Sequence, residues 1–258
     1  MSGDAVAIDR RRAFASAAPT YAKEARLQQA VAWRLAQLCQ SLPLPPGPVL
    51  DLGAGPGNLA AALRRQRPEL HPLLLDDCAE LLAEATAPSE QRLLWDLNCG
   101  LPEAAQGAAL LMSSFALHWL EAPLVQLELW ARALAPGGWL ALLVPVAGSF
   151  QGWRQAALGA GVTCTALVLP QAQELIETVE GQLQLHSSKR LRFTRPYGSP
   201  LQFLRELKRL GVHGGGRQPL AVADCRQLLR HWPQQTSNGI KVNWDLQLLL
   251  AQKLAPKP

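Results

Sequence analysis

The stretch that decides the fold is Val49-Leu50-Asp51-Leu52-Gly53-Ala54-Gly55-Pro56-Gly57. Its first four residues read as a short apolar strand that carries one carboxylate, and the rest reads as a glycine-rich turn. Glycine permits positive φ and lets the backbone approach a ligand closely, so three glycines at alternate positions after a strand predict main-chain contact with a bound molecule. A turn of this kind also occurs without a ligand, and the residues that follow decide between the two interpretations.

The spacing of the three glycines narrows the choice of ligand. The dinucleotide-binding fingerprint has its third glycine three residues after the second, and Asn58 stands at that position here. This chain has its third glycine one residue earlier, at Gly57. The spacing therefore argues against NAD or FAD.

A helix and a second strand are predicted after the turn. Residues 58–65 contain no proline or glycine and predict the helix, and the apolar run 73–75 predicts the strand, which ends in Asp76 and Asp77. A carboxylate at this strand end can accept hydrogen bonds from the two ribose hydroxyls of a nucleoside cofactor, and Asp76 is our prediction for that acceptor. Asp77 is either a second cofactor contact or, as we prefer, the N-cap of a helix over residues 80–85.

Three more strands complete an alternating βα pattern. Residues 92–95 predict a third strand that ends at Asp96 and Leu97, and residues 108–112 predict a fourth that leads into Ser114. A helix over 123–134 then reaches Ala135-Pro136-Gly137-Gly138, which predicts a stop before a fifth strand over 139–144. Because parallel strands present their carboxyl ends at one edge of the sheet, we expect the polar strand ends to share one site.

These motifs together resemble the class I S-adenosylmethionine-dependent methyltransferases. The resemblance implies an α/β, Rossmann-like seven-stranded sheet that is mostly parallel with an antiparallel last strand, plus helical cap elements. It also implies S-adenosylmethionine as the cofactor and a carboxyl or polar group at position 96 near the adenine amine. The residues expected to contact the cofactor are Asp51, Gly53, Ala54, Gly55, Gly57, Asp76, Asp77, Asp96, Leu97 and Ser114.

Length and composition fit a single enzyme domain. With 258 residues, of which 48% are hydrophobic and 17% charged, the chain can bury a large core. We predict one domain over 1–258, with an N-terminal helical cover over 1–47, a cofactor-binding core over 48–145 and a helical cap over 195–235 between the sixth and seventh strands.

Several classes of protein and site are not expected. Residues 1–12 are polar and include Arg10-Arg11-Arg12, which predicts neither a signal peptide nor a membrane span, so a cytoplasmic protein is expected. The five cysteines and five histidines form no metal-ligand spacing, so no metal is expected. The net charge of +5 arises from a basic second half that lacks aromatic interleaving, which favours an acidic protein or an anionic substrate over nucleic acid.

The flanks of the core resemble a narrower family, the malonyl-acyl-carrier-protein O-methyltransferases of biotin synthesis. Four segments carry this resemblance: Phe14 to Tyr21 with Gln28, Ser114 to Trp119, Leu204 to Gly211, and Trp232-Pro233-Gln234-Gln235. The chain departs from the family at His118, where glutamine is more common, and in the glycine run 214–216.

The narrower resemblance implies the reaction. The enzyme would methylate the free carboxylate of a malonyl thioester on acyl carrier protein, an early step of biotin synthesis, and a basic cap would attract the acidic carrier. The alternatives are a methyltransferase for another small acid or a quinone precursor, and a non-catalytic S-adenosylmethionine-binding protein.

Four residues are predicted to act on the substrate: Tyr21, His118, Arg205 and Lys208. Arg205 is our preferred ligand of the substrate carboxylate, while the alternative for Arg205 and Lys208 is an exposed helix face that meets the carrier. Tyr21 either contacts the substrate or covers the cofactor, and His118 either donates to the substrate or packs beside Trp119. No general base is predicted, because a carboxylate is already ionised at neutral pH.

Overall fold

The computed structural model describes residues 3–212, 220–233 and 239–255. Several residues singled out above lie outside this part: the glycine run 214–216, Gln234 and Gln235. The helices are α1 (Gly3–Glu24), α2 (Arg26–Cys39), α3 (Asn58–Gln66), α4 (Ala79–Ala83), α5 (Pro123–Ala133), α6 (Gln151–Ala160), α7 (Ala172–Glu180), α8 (Pro200–Arg209) and α9 (Val222–Arg230). The strands are β1 (Val49–Leu52), β2 (Leu73–Asp76), β3 (Arg92–Leu94), β4 (Ala108–Ser114), β5 (Leu134–Pro145), β6 (Ala147–Phe150), β7 (Gln184–Tyr197) and β8 (Ile240–Gln252).

Seven of these strands form one sheet in the order β3-β2-β1-β4-β5-β8-β7. The pairs from β3 to β5 are parallel, whereas β8 runs antiparallel to both β5 and β7. The predicted fold class is confirmed, including the antiparallel last strand. The chain reverses its direction of winding between β1 and β4, and in such sheets ligands bind at the carboxyl ends of the strands beside that point.

Helices cover both faces of the sheet, which explains why its central strands are apolar on both sides. On one face, α2, α3, α6, α8 and α9 pack around Val31, Leu63, Phe203 and Leu228. On the other face, α5 and α7 pack through side chains that include the fully buried Trp130 and Leu175. The central strand β1 is buried along its whole length. The sheet therefore forms the middle of three layers.

The structure defines the N-terminal helices and the last strands, and it moves the start of the fifth strand. In the region predicted as an N-terminal helical cover over 1–47, the structure has two helices, α1 with 22 residues and α2 with 14. Strand β5 begins at Leu134, five residues early, because Leu134 pairs with Ala108 before the register shifts and Trp139 pairs with Leu110. Strand β7 pairs with β8 along its length, from Gln184 opposite Gln252 to Tyr197 opposite Ile240. Among the described residues, no helix is both long and apolar enough to cross a membrane.

Candidate active site

A cleft of about 1330 Å³, measured with its open mouth, lies at the carboxyl ends of the central strands. It is bordered by residues at or just after the ends of β1, β2, β3 and β4, and α1 contributes Phe14 and Tyr21 to its wall. The predicted cofactor residues Asp51, Gly53, Ala54, Gly55, Asp76, Asp77, Asp96, Leu97 and Ser114 all line it. The structure thus brings together side chains that lie up to 63 positions apart in the sequence.

All three glycines of the turn have left-handed backbone conformations, and two of them also lack room for a side chain. Gly53, Gly55 and Gly57 have φ values of 69°, 53° and 75°, in the left-handed region that L side chains rarely adopt. A Cβ at Gly53 would lie 2.1 Å from the Cβ of Ala116, and one at Gly57 would lie 2.7 Å from Leu74 Cδ2. A Cβ at Gly55 would meet only Leu81 Cδ1, at 3.9 Å, because this glycine borders the cleft. Gly57 caps α3 rather than lining the cleft.

Asp51 is the buried acid of β1. Its Oδ2 accepts a hydrogen bond of 2.9 Å from the backbone N–H of Ala60, in the first turn of α3. The side chain is 1% exposed, and burial raises the pKa of Asp51 to about 7. Asp51 therefore ties the strand before the glycine turn to the helix after it.

Asp76, at the end of β2, holds the glycine turn from the other side. Its Oδ2 accepts a hydrogen bond of 2.8 Å from Gly55 N, and its Oδ1 accepts one of 2.9 Å from Cys78 N. Burial raises the pKa of Asp76 to about 6 despite these two backbone donors. Each carboxylate oxygen can accept a second hydrogen bond, so Asp76 keeps the capacity to bind a diol.

Asp77 and Asp96 are held by two arginines of α1. Asp77 Oδ2 accepts hydrogen bonds from Arg10 Nη2 at 2.6 Å and from Arg11 Nε at 2.8 Å. Asp96 pairs through Oδ2 with Arg11, and its Oδ1 accepts from the backbone and side-chain nitrogens of Asn98. The predicted N-cap role of Asp77 is wrong, because Cys78 is the N-cap of α4 and Asp77 turns toward the arginines instead.

Aromatic side chains form the wall beside the acids. Phe14 of α1 contacts the Trp119 ring edge-on at a centroid separation of 5.3 Å, and Tyr21 lies 6.5 Å from Phe14. Burial, with the Asp76 carboxylate nearby, raises the pKa of Tyr21, so the phenol stays protonated. The structure places Tyr21 and His118 in the lining of the cleft. Both roles predicted for each residue are compatible with this position.

His118 is buried between two aromatic rings. Its ring centroid lies 5.2 Å from Trp119 and 6.3 Å from Phe115, and its Nδ1 makes no hydrogen bond with the described residues. Burial and the charge of Arg10 lower the pKa of His118 to about 3. The imidazole is therefore neutral at physiological pH.

The far half of the cleft is built almost entirely from apolar side chains. Phe150, Trp153 and Trp244 form one wall, and Leu167 and Leu169 add to it. Trp153 Nε1 is buried without a hydrogen bond to the described residues, as is Ser114 Oγ at the end of β4. Indole N–H is a donor only, so an acceptor would be needed to satisfy it.

Strained backbone also concentrates at the cleft. In the described part of the chain, the two non-glycine residues with left-handed φ are Phe115 at 58° and Phe150 at 59°. Both line the cleft, one after β4 and one before α6. Such conformations cost about 1–3 kcal/mol each and tend to occur at functional sites.

Arg205 and Lys208, predicted to act on the substrate, do not line the cleft. Both lie exposed on α8, whereas Leu207 of the same helix lines the cleft. Because α8 turns its apolar face inward, its cations point away from the reacting centre. Their alternative interpretation, an exposed helix face, agrees with this placement.

Sequence reasoning missed the cation that does line the cleft. Among the described residues, Arg10 is the one lysine or arginine side chain that lines the cleft. Sequence reasoning treated the run Arg10-Arg11-Arg12 only as part of a polar N-terminal segment. It also missed Trp153 and Thr165, which lie in and after α6. No short motif marks these residues, since their role depends on where α1 and α6 pack.

Comparisons with known proteins agree with this geometry. The family model described as a methyltransferase domain matches residues 23–180. Malonyl-[acyl-carrier protein] O-methyltransferase of Alcanivorax borkumensis is 28% identical over 252 residues, covering 93% of this chain and 84% of the relative. Trans-aconitate 2-methyltransferase of Mycobacterium sp. (strain KMS) is 38% identical over 100 residues, which is 39% of each chain. The YcgJ protein of Bacillus subtilis superposes with a TM-score of 0.61 at 14% identity, covering 86% of this chain and 99% of that one, and so shares the fold.

Proposed function

Since the chain belongs to the methyltransferase domain family, we propose that it methylates the free carboxylate of a malonyl thioester carried by acyl carrier protein, using S-adenosylmethionine. The observation that carries this proposal is similarity to a malonyl-acyl-carrier-protein O-methyltransferase along nearly the whole chain, at 93% coverage. The product would be a methyl ester, an early intermediate of biotin synthesis.

The cleft suits S-adenosylmethionine in its donor set and in its shape. Gly55 leaves open space beside the turn, and Asp76 keeps free lone pairs for a pair of hydroxyls. Asp96 and Leu97 also line the cleft, and the Ser114 hydroxyl has no hydrogen-bond partner among the described residues. We propose that these residues hold the cofactor, with Asp76 on the ribose and the glycine turn under the methionine end.

The proposed reaction does not require the protein to transfer a proton. When bound, S-adenosylmethionine supplies an electrophilic methyl group that a carboxylate oxygen can take directly. The substrate carboxylate has a reference pKa near 4 and needs no base to ionise it. His118, with its pKa lowered to about 3, stays neutral and acts only by packing or by hydrogen bonding.

The walls of the cleft would therefore act by orientation and by exclusion of water. Holding two reacting groups in line can contribute up to about 7–11 kcal/mol in well-oriented systems. Phe150, Trp153 and Trp244 supply a dry surface beside the acids. A neutral donor, such as the Trp153 N–H or the Thr165 hydroxyl, can engage one carboxylate oxygen and leave the other free to react.

A basic surface beside the cleft suits an acidic carrier protein. Residues 184–209 hold seven lysines and arginines against one acid, Glu206, so their net charge of +6 exceeds the +5 of the whole chain. Lys189 of β7 and Arg205 and Lys208 of α8 are exposed. Arg192 and Arg195 of β7 are also exposed, but they pair with Asp245 and Glu206, respectively. Surfaces of this kind speed the encounter of oppositely charged proteins in a salt-dependent way.

The experiment that tests the proposal is mass spectrometry of malonyl-acyl carrier protein incubated with the enzyme and S-adenosylmethionine. Acetyl-acyl carrier protein, malonyl-pantetheine and free malonate run in parallel. The proposal expects a gain of one methyl group on the malonyl carrier and none on the acetyl carrier. No gain on the malonyl carrier, with cofactor binding intact, would contradict it.

A second candidate is methylation of a free small acid. The local similarity to trans-aconitate 2-methyltransferase favours it. Trans-aconitate is therefore added to the same assay. Methylation of a free acid, with none of the malonyl carrier, would replace the first proposal by the second.

The role of the basic surface is tested by matched pairs of substitutions. The double variant Arg205→Ala/Lys208→Ala removes two exposed cations from α8, and Arg34→Ala/Arg65→Ala removes two from α2 and α3. At low salt we expect the first pair to lower kcat/KM for the malonyl carrier about fivefold and to leave malonyl-pantetheine unaffected. Equal losses from both pairs would contradict a local docking surface.

A further inference from the structure

Two arginines of α1 meet the acids at the ends of two strands. Arg11 bridges Asp77, at 2.8 Å from its Nε, and Asp96 through its Nη2. Arg10 bridges Asp77, at 2.6 Å, and the backbone carbonyl of Trp119, also at 2.6 Å. These contacts connect the start of α1 to the segments that follow β2, β3 and β4.

The negative charges of the carboxylates at this end of the cleft need positive charges nearby. Asp76, Asp77 and Asp96 lie along the same edge of the sheet, and three neighbouring carboxylates would repel one another if none were paired. The charge of Arg10 also limits the rise that burial causes in the pKa of Asp76, and it adds to the lowering that burial causes in the pKa of His118. Two arginines against three acids leave the site with a negative balance, which suits a cationic sulfonium ligand.

The same helix carries part of the wall. Phe14 and Tyr21 lie one and two to three turns after Arg11, and both line the cleft. Below them, Ala18 packs with Cys78 and Leu81 of the segment around α4. The ion pairs and this apolar cluster hold α1 at two places along its length. Because the ion pairs are one of these two attachments, the positions of Phe14 and Tyr21 depend on the arginines.

We propose that Arg10 and Arg11 are positioning residues of the cofactor site, which hold Asp77 and Asp96 in place and fasten α1 over the acids. This inference rests on the proposed function only in that the cleft binds the cofactor. Cofactor binding and the docking of α1 are then linked, and each strengthens the other by the same factor.

The test measures binding of S-adenosylhomocysteine by calorimetry, so that no turnover occurs. Arg11→Ala should weaken binding about tenfold, whereas Arg12→Ala should stay within about twofold of the parent. Arg12 is the matched control, because it is the next residue of α1 and is exposed. Arg11→Lys keeps the charge but cannot bridge two acids in the same way, so we expect it to lose affinity as well.

Two further readouts separate positioning from general stability. In an Asp77→Ala background, Arg11→Ala should cost less than about threefold, because one of its two acid partners is already absent. In amide hydrogen exchange, Arg11→Ala should lose protection in α1 while the sheet keeps its own, and S-adenosylhomocysteine should raise α1 protection in the parent protein.

Binding within twofold of the parent for Arg11→Ala would overturn the inference, as would equal losses for Arg11→Ala and Arg12→Ala. The parent protein is measured first. If it does not bind S-adenosylhomocysteine, the proposed function itself fails. If it binds but Arg11→Ala binds equally well, only the positioning role fails.

Discussion

The two halves of the cleft differ in the chemistry of the residues that line them. The half at the ends of β1, β2 and β3 consists of a glycine turn and four carboxylates, each held by backbone N–H groups or by arginines. The half beside β6, α6 and α8 consists mostly of aromatic and aliphatic side chains, and its Trp153 Nε1 is buried without a hydrogen bond to the described residues. The first half is preorganised for a polar, charged ligand, and the second half is a dry wall against which a smaller group can be oriented.

This comparison predicts that Gly53 of the glycine turn is needed for stability, whereas Gly55 is needed for cofactor binding. Gly53→Ala should destabilise the protein by about 3 kcal/mol, because the new Cβ overlaps Ala116 and the left-handed φ is strained. Gly55→Ala should cost about 1 kcal/mol in stability but weaken cofactor binding, because its Cβ enters the cleft. Chemical denaturation and calorimetry measure the two effects. Equal stability losses in both variants would break the distinction.

A second prediction concerns Asp76. Asp76→Ala should weaken S-adenosylhomocysteine binding by about thirtyfold, or ~2 kcal/mol, because hydrogen bonds to a charged acceptor are lost. Asp76→Asn is the control, since its remaining carbonyl oxygen can still accept from Gly55 N and so preserves the turn. Unchanged affinity in Asp76→Ala would remove this residue from the proposed cofactor site.

The positions of the glycines and acids in the charged half could be predicted from the sequence, whereas Arg10 and Arg11, which hold two of those acids, depend on how α1 packs. The glycine turn, Asp51, Asp76 and Asp96 each sit at a strand end that periodicity reveals, and parallel topology brings strand ends together. The apolar half depends on how α1, α6 and α8 pack, which no periodicity specifies. Arg205 illustrates the difference: its charge suggested a substrate ligand, but the apolar face of α8 turns inward and leaves Arg205 in solvent.

A third prediction uses the buried acid of the charged half. Asp51 has its pKa raised to about 7 in the folded protein, above the reference value of 3.8, so the folded state binds its proton more tightly than the unfolded state does. The contribution of Asp51 to the free energy of unfolding, on the order of 2 kcal/mol, should therefore be fully present below about pH 4 and be lost progressively as the pH rises to and through about 7.

Asp51→Asn is the matched variant, because it keeps an acceptor for Ala60 N and removes the titration. Denaturant titrations of both proteins across this pH range provide the measurement. A slope that persists unchanged in Asp51→Asn would assign the pH dependence to another group. Asp76, whose pKa is raised to about 6, contributes in the same direction and should account for a smaller remaining slope.

The smallest predicted effect lies in the apolar half. Trp153→Phe keeps the ring against Phe150 and Phe203 but removes the orphaned N–H. If that N–H meets a substrate oxygen, KM for the carrier substrate rises about threefold and cofactor affinity is unchanged. A slightly more stable protein with unchanged KM would identify Trp153 as a packing residue.

The measurement that tests the division of the cleft most directly is a crystal structure with S-adenosylhomocysteine bound. The account predicts the ribose on Asp76, the methionine end over Gly53 to Gly55, and the sulfur facing open space beside Phe150 and Trp153. It also predicts that Arg10 and Arg11 still hold Asp77 and Asp96. A ligand seated against the aromatic wall, with Asp76 and the glycine turn free, would contradict the account.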